Sequence, residues 1–167
     1  QPAPREGRGP ARILLIADNL DERRKNMRLA LEALARFAAE GLARPILVDL
    51  IGEGGAEVEA RLAAGGIPFV AHGRIHDHAA ISAICRKCDV VLTASVEDNW
   101  PNILVEAGVY GVVPVVGPGH GCEEFVRAFG YGEVAYAYTA EAFALAILMQ
   151  AHQDLPAGVT TMIWPAE

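Results

Sequence analysis

The sequence predicts an α/β fold, a Rossmann-like doubly wound parallel sheet of about six strands. Short apolar runs alternate with helical patterns six times along the chain. Those runs are continuous rather than alternating, as strands buried on both faces must be, so helices should cover each side of a parallel sheet. The 167 residues, 52% hydrophobic and 21% charged, suit one folded domain with a substantial core.

The elements follow in order. Residues 1–10 (QPAPREGRGP) form a flexible lead-in, and residues 12–17 (RILLIA) the first strand. A helix is expected over 25–39, where Met27, Leu29, Leu31, Leu34 and Phe37 make an apolar face. Residues 45–51 (PILVDLI) form the second strand, 55–64 a short helix and 68–71 the third strand. The helix over 77–88 opens on Asp77, whose carboxylate can accept the first free N–H groups. Residues 89–94 (DVVLTA) are the fourth strand. The next helix, 101–110, has a proline in its first turn, where the absent N–H is not needed. The fifth strand, 112–116 (VVPVV), is irregular because of Pro114. A short helix (122–129), a weak sixth strand (134–137) and a last helix (139–152) complete a domain over 11–153, and 154–167 is an unassigned tail.

Composition excludes several classes. A formal net charge of −7 argues against broad nucleic-acid binding and against an anionic membrane surface. No run approaches the roughly 18 apolar residues of a membrane span, and no signal peptide opens the chain. Three cysteines, an odd number, point to a reducing compartment, so a cytoplasmic location is expected. The chain opens on Gln1, which reads as an excised fragment or a processed product.

Open parallel sheets bind ligands beyond the C-terminal ends of their strands, where the strand order reverses. The residues just after each strand are therefore the informative ones. After the fourth strand comes Ser95-Val96-Glu97-Asp98-Asn99-Trp100-Pro101-Asn102, then the helix carrying Glu106. Between Asp98 and Glu106 lies a helix N-terminus, whose free N–H groups suit phosphate or sugar oxygens. Each carboxylate can accept two hydrogen bonds from vicinal hydroxyls. Two acids around an N–H cluster suit a sugar–diphosphate–ribose ligand. By spacing alone, the same pattern also fits a loop acid and one polar position on a solvated helix face. Cys85 and Cys88 form a C-x-x-C that reads as core packing, as does Cys122. His76-Asp77-His78 reads as a capped helix start with solvent-facing imidazoles, and no metal site is expected.

The residue identities add to the spacing. Residues 97–107 (EDNWPNILVEA) resemble the acid, seven residues and Glu motif of the family 4 retaining glycosyltransferases, in its E-D-N-L-P-N form. Residues 20–34, 51–55 (IGEGG), 72–95 and 113–126 resemble other segments of that family, in the family's order. The resemblance implies one half of a GT-B architecture, the C-terminal donor-binding domain. The acceptor site and any peripheral membrane contact would then belong to an N-terminal domain outside this chain. It implies transfer of a hexose from a nucleotide diphosphate sugar to a saccharide or lipid-linked acceptor, with retention and without a metal or other cofactor. Glu106 matches the acid on the donor ribose, Asp98 the acid on the transferred sugar and Lys25 the lysine on the diphosphate. Asn99, Trp100, Pro101 and Asn102 match the backbone stretch that meets the sugar and distal phosphate. Arg74 and Ile75 match the loop that meets the base, and Gly119, His120 and Gly121 the turn near the sugar. Many members carry an Arg shortly before the lysine. Here Asn19 stands near that place and is expected at the donor site, but it cannot supply a cation; either Arg23 or Arg24 substitutes, with Arg24 expected on the donor, or the phosphate clamp is weaker.

Two other readings remain. Residues 12–19 and 91–108 also resemble a signalling receiver domain, with Asp49 as phosphoacceptor. Such a domain needs a lysine after its fifth strand, and the chain's two lysines are Lys25 and Lys87. A non-catalytic relative that only binds nucleotide or glycan would carry the same binding residues.

Overall fold

The computed structural model describes residues 9–39, 45–98 and 102–151. The lead-in and the tail lie outside these, apart from the last residues of the lead-in. The strands are β1 (Ala11–Asn19), β2 (Ile46–Glu53), β3 (Phe69–Ala71), β4 (Val90–Thr93), β5 (Val113–Val116) and β6 (Glu133–Val134). They form one sheet in the order β3-β2-β1-β4-β5-β6, and every adjacent pair is parallel. The helices are α1 (Met27–Ala39), α2 (Ala56–Ala64), α3 (His78–Cys85), α4 (Asn102–Val109), α5 (His120–Phe129) and α6 (Ala140–Ala151).

Successive strand residues point to opposite faces, and the core divides accordingly. Ile13 and Leu15 of β1 join a cluster with α1, α2 and α6, built around Leu34, Phe37, Leu62, Phe143 and Ile147. Leu14 joins the opposite cluster with α3, α4 and α5, built around Cys85, Leu104, Ala107 and Phe125. The sheet is thus doubly wound. α1 buries Leu29, Ala30, Ala33, Leu34 and Phe37, a stripe of helical period, and packs on α6. Pro114 does not interrupt β5, which lies between β4 and β6 at the loss of one ladder N–H. No helix among the described residues is long and apolar enough to cross a membrane.

Several boundaries differ from the sequence expectation: β1 runs on to Asn19, and α5 starts at His120, so that His120 and Gly121 open a helix where a turn was expected. The expected helix from Lys25 is split. Arg23–Lys25 is a 3₁₀ turn that ends at Asn26, held in the left-handed region (φ 50, ψ 43), and α1 starts only at Met27. An asparagine tolerates that conformation better than most residues. The helix expected to reach Cys88 ends at Cys85, and the chain then turns through a Cys88 N–H bond to the Cys85 carbonyl. Strand β6 is short and starts at Glu133.

All three cysteines are free and buried. Burial pushes the Cys85 thiol up to about 11 and Cys122 up to about 12, and raises Cys88 as well. An unfolded chain releases these protons near about pH 8.5. Above that pH the folded chain holds more protons than the unfolded one, so stability must fall as pH rises. The thiol contribution is complete below pH 8 and is lost progressively towards pH 11–12. Thermal melts at about pH 7.5, 9 and 10.5 should show a falling midpoint, and a flat profile would contradict it.

Candidate functional site

β1 and β4 are neighbours, yet the chain leaves β1 for α1 on one face and β4 for α4 on the other. Their exit loops diverge and leave a crevice at the switch point. A cavity of about 330 Å³ lies there. Its walls come from several elements, including Ile51 and Gly52 of β2 and His78 and Ile81 of α3. β1 supplies Asp18, and the 3₁₀ turn supplies Arg24 and Lys25. The loop after β3 supplies Arg74 and Ile75, the loop after β4 supplies Asp98, and α4 supplies Asn102 and Glu106. Seven sequence-predicted residues are thus brought together.

Others fall elsewhere. Asn19 does not line the cavity, and its Oδ1 accepts from the Asp21 N–H at 2.9 Å, which shapes the turn after β1. Gly119, His120 and Gly121 lie beside the cavity, and the Gly121 N–H donates to the Asp98 carbonyl at 2.9 Å. Asn99, Trp100 and Pro101 lie outside the described residues. Of the ionisable lining residues, Asp18 and His78 were not foreseen there. Both are exposed, and the sequence marks His78 only as a solvent-facing imidazole at the start of α3.

Backbone ties hold the walls in place. The Val96 N–H donates to the Arg24 carbonyl at 2.9 Å, joining the 3₁₀ turn to the exit from β4. The Gly52 N–H donates to the Gly73 carbonyl at 2.9 Å, holding the loop that presents Arg74. A β-carbon at Gly52 would fall 2.2 Å from the Ala17 carbonyl oxygen, so the ends of β1 and β2 can approach only with glycine there.

The three cations of the cleft are each paired with a carboxylate. Lys25 Nζ lies 3.2 Å from Asp98 Oδ2, with both side chains more than four-fifths buried. Arg74 Nη1 lies 2.7 Å from Glu53 Oε1, and Arg24 pairs with Glu22. The bond from Arg74 holds the Glu53 carboxyl below its ordinary range. Glu106 is half-buried and makes no side-chain hydrogen bond or ion pair among the described residues. The cleft therefore offers an unengaged acid at one end and a lysine at the other that can exchange its partner for an incoming anion.

A larger cavity, about 510 Å³, lies beyond the 3₁₀ turn between α1 and α2. It is lined by the segment after β1 and by the flanks of α1 and α2. Its Arg61 is paired with Glu57 and its Arg28 with Glu32, and Arg23, unlike Arg24, lines this cavity and not the cleft.

Asp49 does not suit the phosphoacceptor role. It lies mid-strand, opposite Leu14 and Val70, and is fully buried. Arg12 donates to it at 2.7–3.0 Å, and His72 Nε2 lies 2.8 Å from Oδ1. Both carboxylate oxygens are occupied. Asp77 caps α3 as expected, accepting from the Ala79 N–H at 3.0 Å. No group of three or more metal-binding side chains occurs among the described residues.

The Ser95 hydroxyl is buried with no hydrogen-bond partner, although the Ser95 carbonyl accepts from Tyr138. An unsatisfied buried hydroxyl costs about 1–3 kcal/mol, so Ser95→Ala should leave stability unchanged or raise it by about 1 kcal/mol. Chemical denaturation checks this, and a clear loss of stability would show that the hydroxyl is satisfied in solution.

The fold and cleft define a Rossmann-like α/β domain whose ligand site lies at the sheet's switch point. The chain belongs to the group 1 glycosyltransferases, whose family profile matches residues 11–152. That membership removes the receiver reading. Among solved structures the chain is similar to WaaG, a glycosyltransferase involved in lipopolysaccharide biosynthesis. The TM-score is 0.76 at 17% identity, over 92% of this chain and 41% of WaaG. It is also similar to the catalytic domain of cholesterol-alpha-glucosyltransferase from Helicobacter pylori, with a TM-score of 0.64 at 17% identity, over 92% of this chain and 93% of that domain. Anabaena Alr3699/HepE, solved in complex with UDP and glucose, matches with a TM-score of 0.69 at 18% identity, over 93% of this chain and 41% of HepE. At these identities the likeness establishes the fold, that of GT-B glycosyltransferases. The chain spans about two fifths of the length of WaaG and HepE. No curated protein matches it in sequence.

Proposed function

We propose that this chain is the donor-binding domain of a glycosyltransferase that moves a hexose from a nucleotide diphosphate sugar to a saccharide or lipid-linked acceptor with retention. The observation that carries the reading is the convergence of Lys25, Asp98, Asn102 and Glu106 on one cleft at the switch point. Glu106 accepts the ribose hydroxyls, and the loop of Arg74 and Ile75 meets the base. Lys25 leaves Asp98 for the diphosphate, and Asp98 turns to hydroxyls of the transferred sugar. Lys25, with Arg24 beside it, offsets the charge that develops on the departing diphosphate. Free N–H groups at the start of α4 add to this without a metal. Arg24 stands in the cleft in place of the arginine that Asn19 cannot supply.

The acceptor site belongs in this reading to a second domain, in keeping with the two fifths of WaaG that the chain spans. The chain alone should then bind donor weakly and transfer little. Titration with UDP-, GDP- and ADP-sugars, followed by NMR, tests the reading. Binding of at least one, with shifts centred on the Asn102 and Glu106 amides, is the expected result. No binding across the panel would overturn it.

A further inference from the structure

Two loops border the Asp98 side of the cleft, one leaving β4 and one leaving β5. Both meet a side chain that the sequence did not mark. Tyr138, between β6 and α6, donates its hydroxyl to the Ser95 carbonyl at 2.8 Å, across 43 residues of sequence. Its ring lies directly over Gly117. A β-carbon at Gly117 would fall 2.6–2.8 Å from the Tyr138 ring and its oxygen, so only glycine admits the ring. Behind it stands Phe143, wholly buried, with ring centroids 6.2 Å apart. Burial raises the Tyr138 hydroxyl above its ordinary value, at which it is already a donor at neutral pH.

The Ser95 carbonyl is a fixed point on this loop. The β4 ladder ends at Thr93, and the Ser95 hydroxyl contributes no bond. Asp98 follows three residues later, and its carbonyl accepts from the Gly121 N–H in the first turn of α5, the helix that follows the β5 exit. Tyr138 therefore touches both loops at their roots. Glu106 is held differently, on a helix whose Leu104 and Ala107 are packed in the core.

We propose that Tyr138 is a positioning residue that sets the Asp98 loop against the β5 exit turn, and so supports the hold on the transferred sugar but not on the nucleoside. The proposal rests on the cleft being the donor site. Tyr138→Phe removes the hydroxyl alone and leaves the ring on Gly117.

The test titrates wild type, Tyr138→Phe and Glu106→Ala with UDP-glucose, GDP-mannose and ADP-glucose and with UMP, GMP and AMP. Tyr138→Phe should weaken the best-binding nucleotide sugar by roughly threefold to tenfold, the size of one neutral hydrogen bond, and leave the matching monophosphate within about twofold. Glu106→Ala should weaken both. Equal loss of both ligands in Tyr138→Phe would make Tyr138 merely structural and overturn the proposal. Unchanged nucleotide-sugar affinity in Tyr138→Phe, with Glu106→Ala still losing both, would also overturn it and leave the donor reading standing. No effect of Glu106→Ala, or no binding by wild type, would overturn the donor reading and this proposal with it.

Discussion

Glu106→Ala is expected to weaken nucleotide-sugar binding roughly tenfold to a hundredfold, because a lost charged hydrogen-bonding group costs about 1.5–3 kcal/mol. Two features make this substitution informative. Glu106 lines the cleft, and no side chain among the described residues hydrogen-bonds or ion-pairs with it. Its removal should therefore spare the fold, and the melting temperature should stay within about 2 °C of wild type. Glu106→Gln keeps the length and one acceptor oxygen and should fall between the two. Calorimetry or NMR titration reads the effect. Equal affinities for wild type and Glu106→Ala would remove Glu106 from the site.

The largest stability effect is expected at Asp49. Its carboxylate is fully buried, with Arg12 on both oxygens and His72 on one. Asp49→Ala would leave the Arg12 guanidinium facing a hole, with 26% of its side chain exposed. Breaking a buried pair by removing one partner costs about 3–5 kcal/mol. For a chain of this size that lowers the melting temperature by about 6–20 °C. Asp49→Asn retains an acceptor oxygen and should cost less. A midpoint within about 2 °C of wild type for Asp49→Ala would show that the pair contributes nothing net.

The two substitutions sit at opposite ends of what the sequence made legible. Glu106 and Asp98 could be found because their local motif, 97–107, carries its meaning in adjacent letters. Asp49 could be seen as an oddly charged residue in an apolar strand, or read as a receiver's phosphoacceptor, but not as one member of a buried ion pair. Arg12 and His72 lie 37 and 23 residues away from it, and nothing in their spacing announces the contact. Asn19 shows the reverse. Its position suggested the cleft, but its side chain satisfies the Asp21 N–H two residues on. A short polar side chain after a strand has that local bond within reach, and it competes with any ligand.

The sequence by itself determined the fold class, the alternation of strands and helices, the family and the place of the acidic segment after β4. These follow from apolar periodicity and local letters, which short-range sterics and burial convert directly into elements. Only the tertiary structure decided how the cleft is closed and charged. It paired Lys25 with Asp98, 73 residues apart, left Glu106 unengaged, and placed Tyr138 over Gly117. The reason is the strand order. Winding β1 and β4 side by side brings together loops distant in the chain, and contacts between them are set by packing and backbone ties that no local pattern encodes.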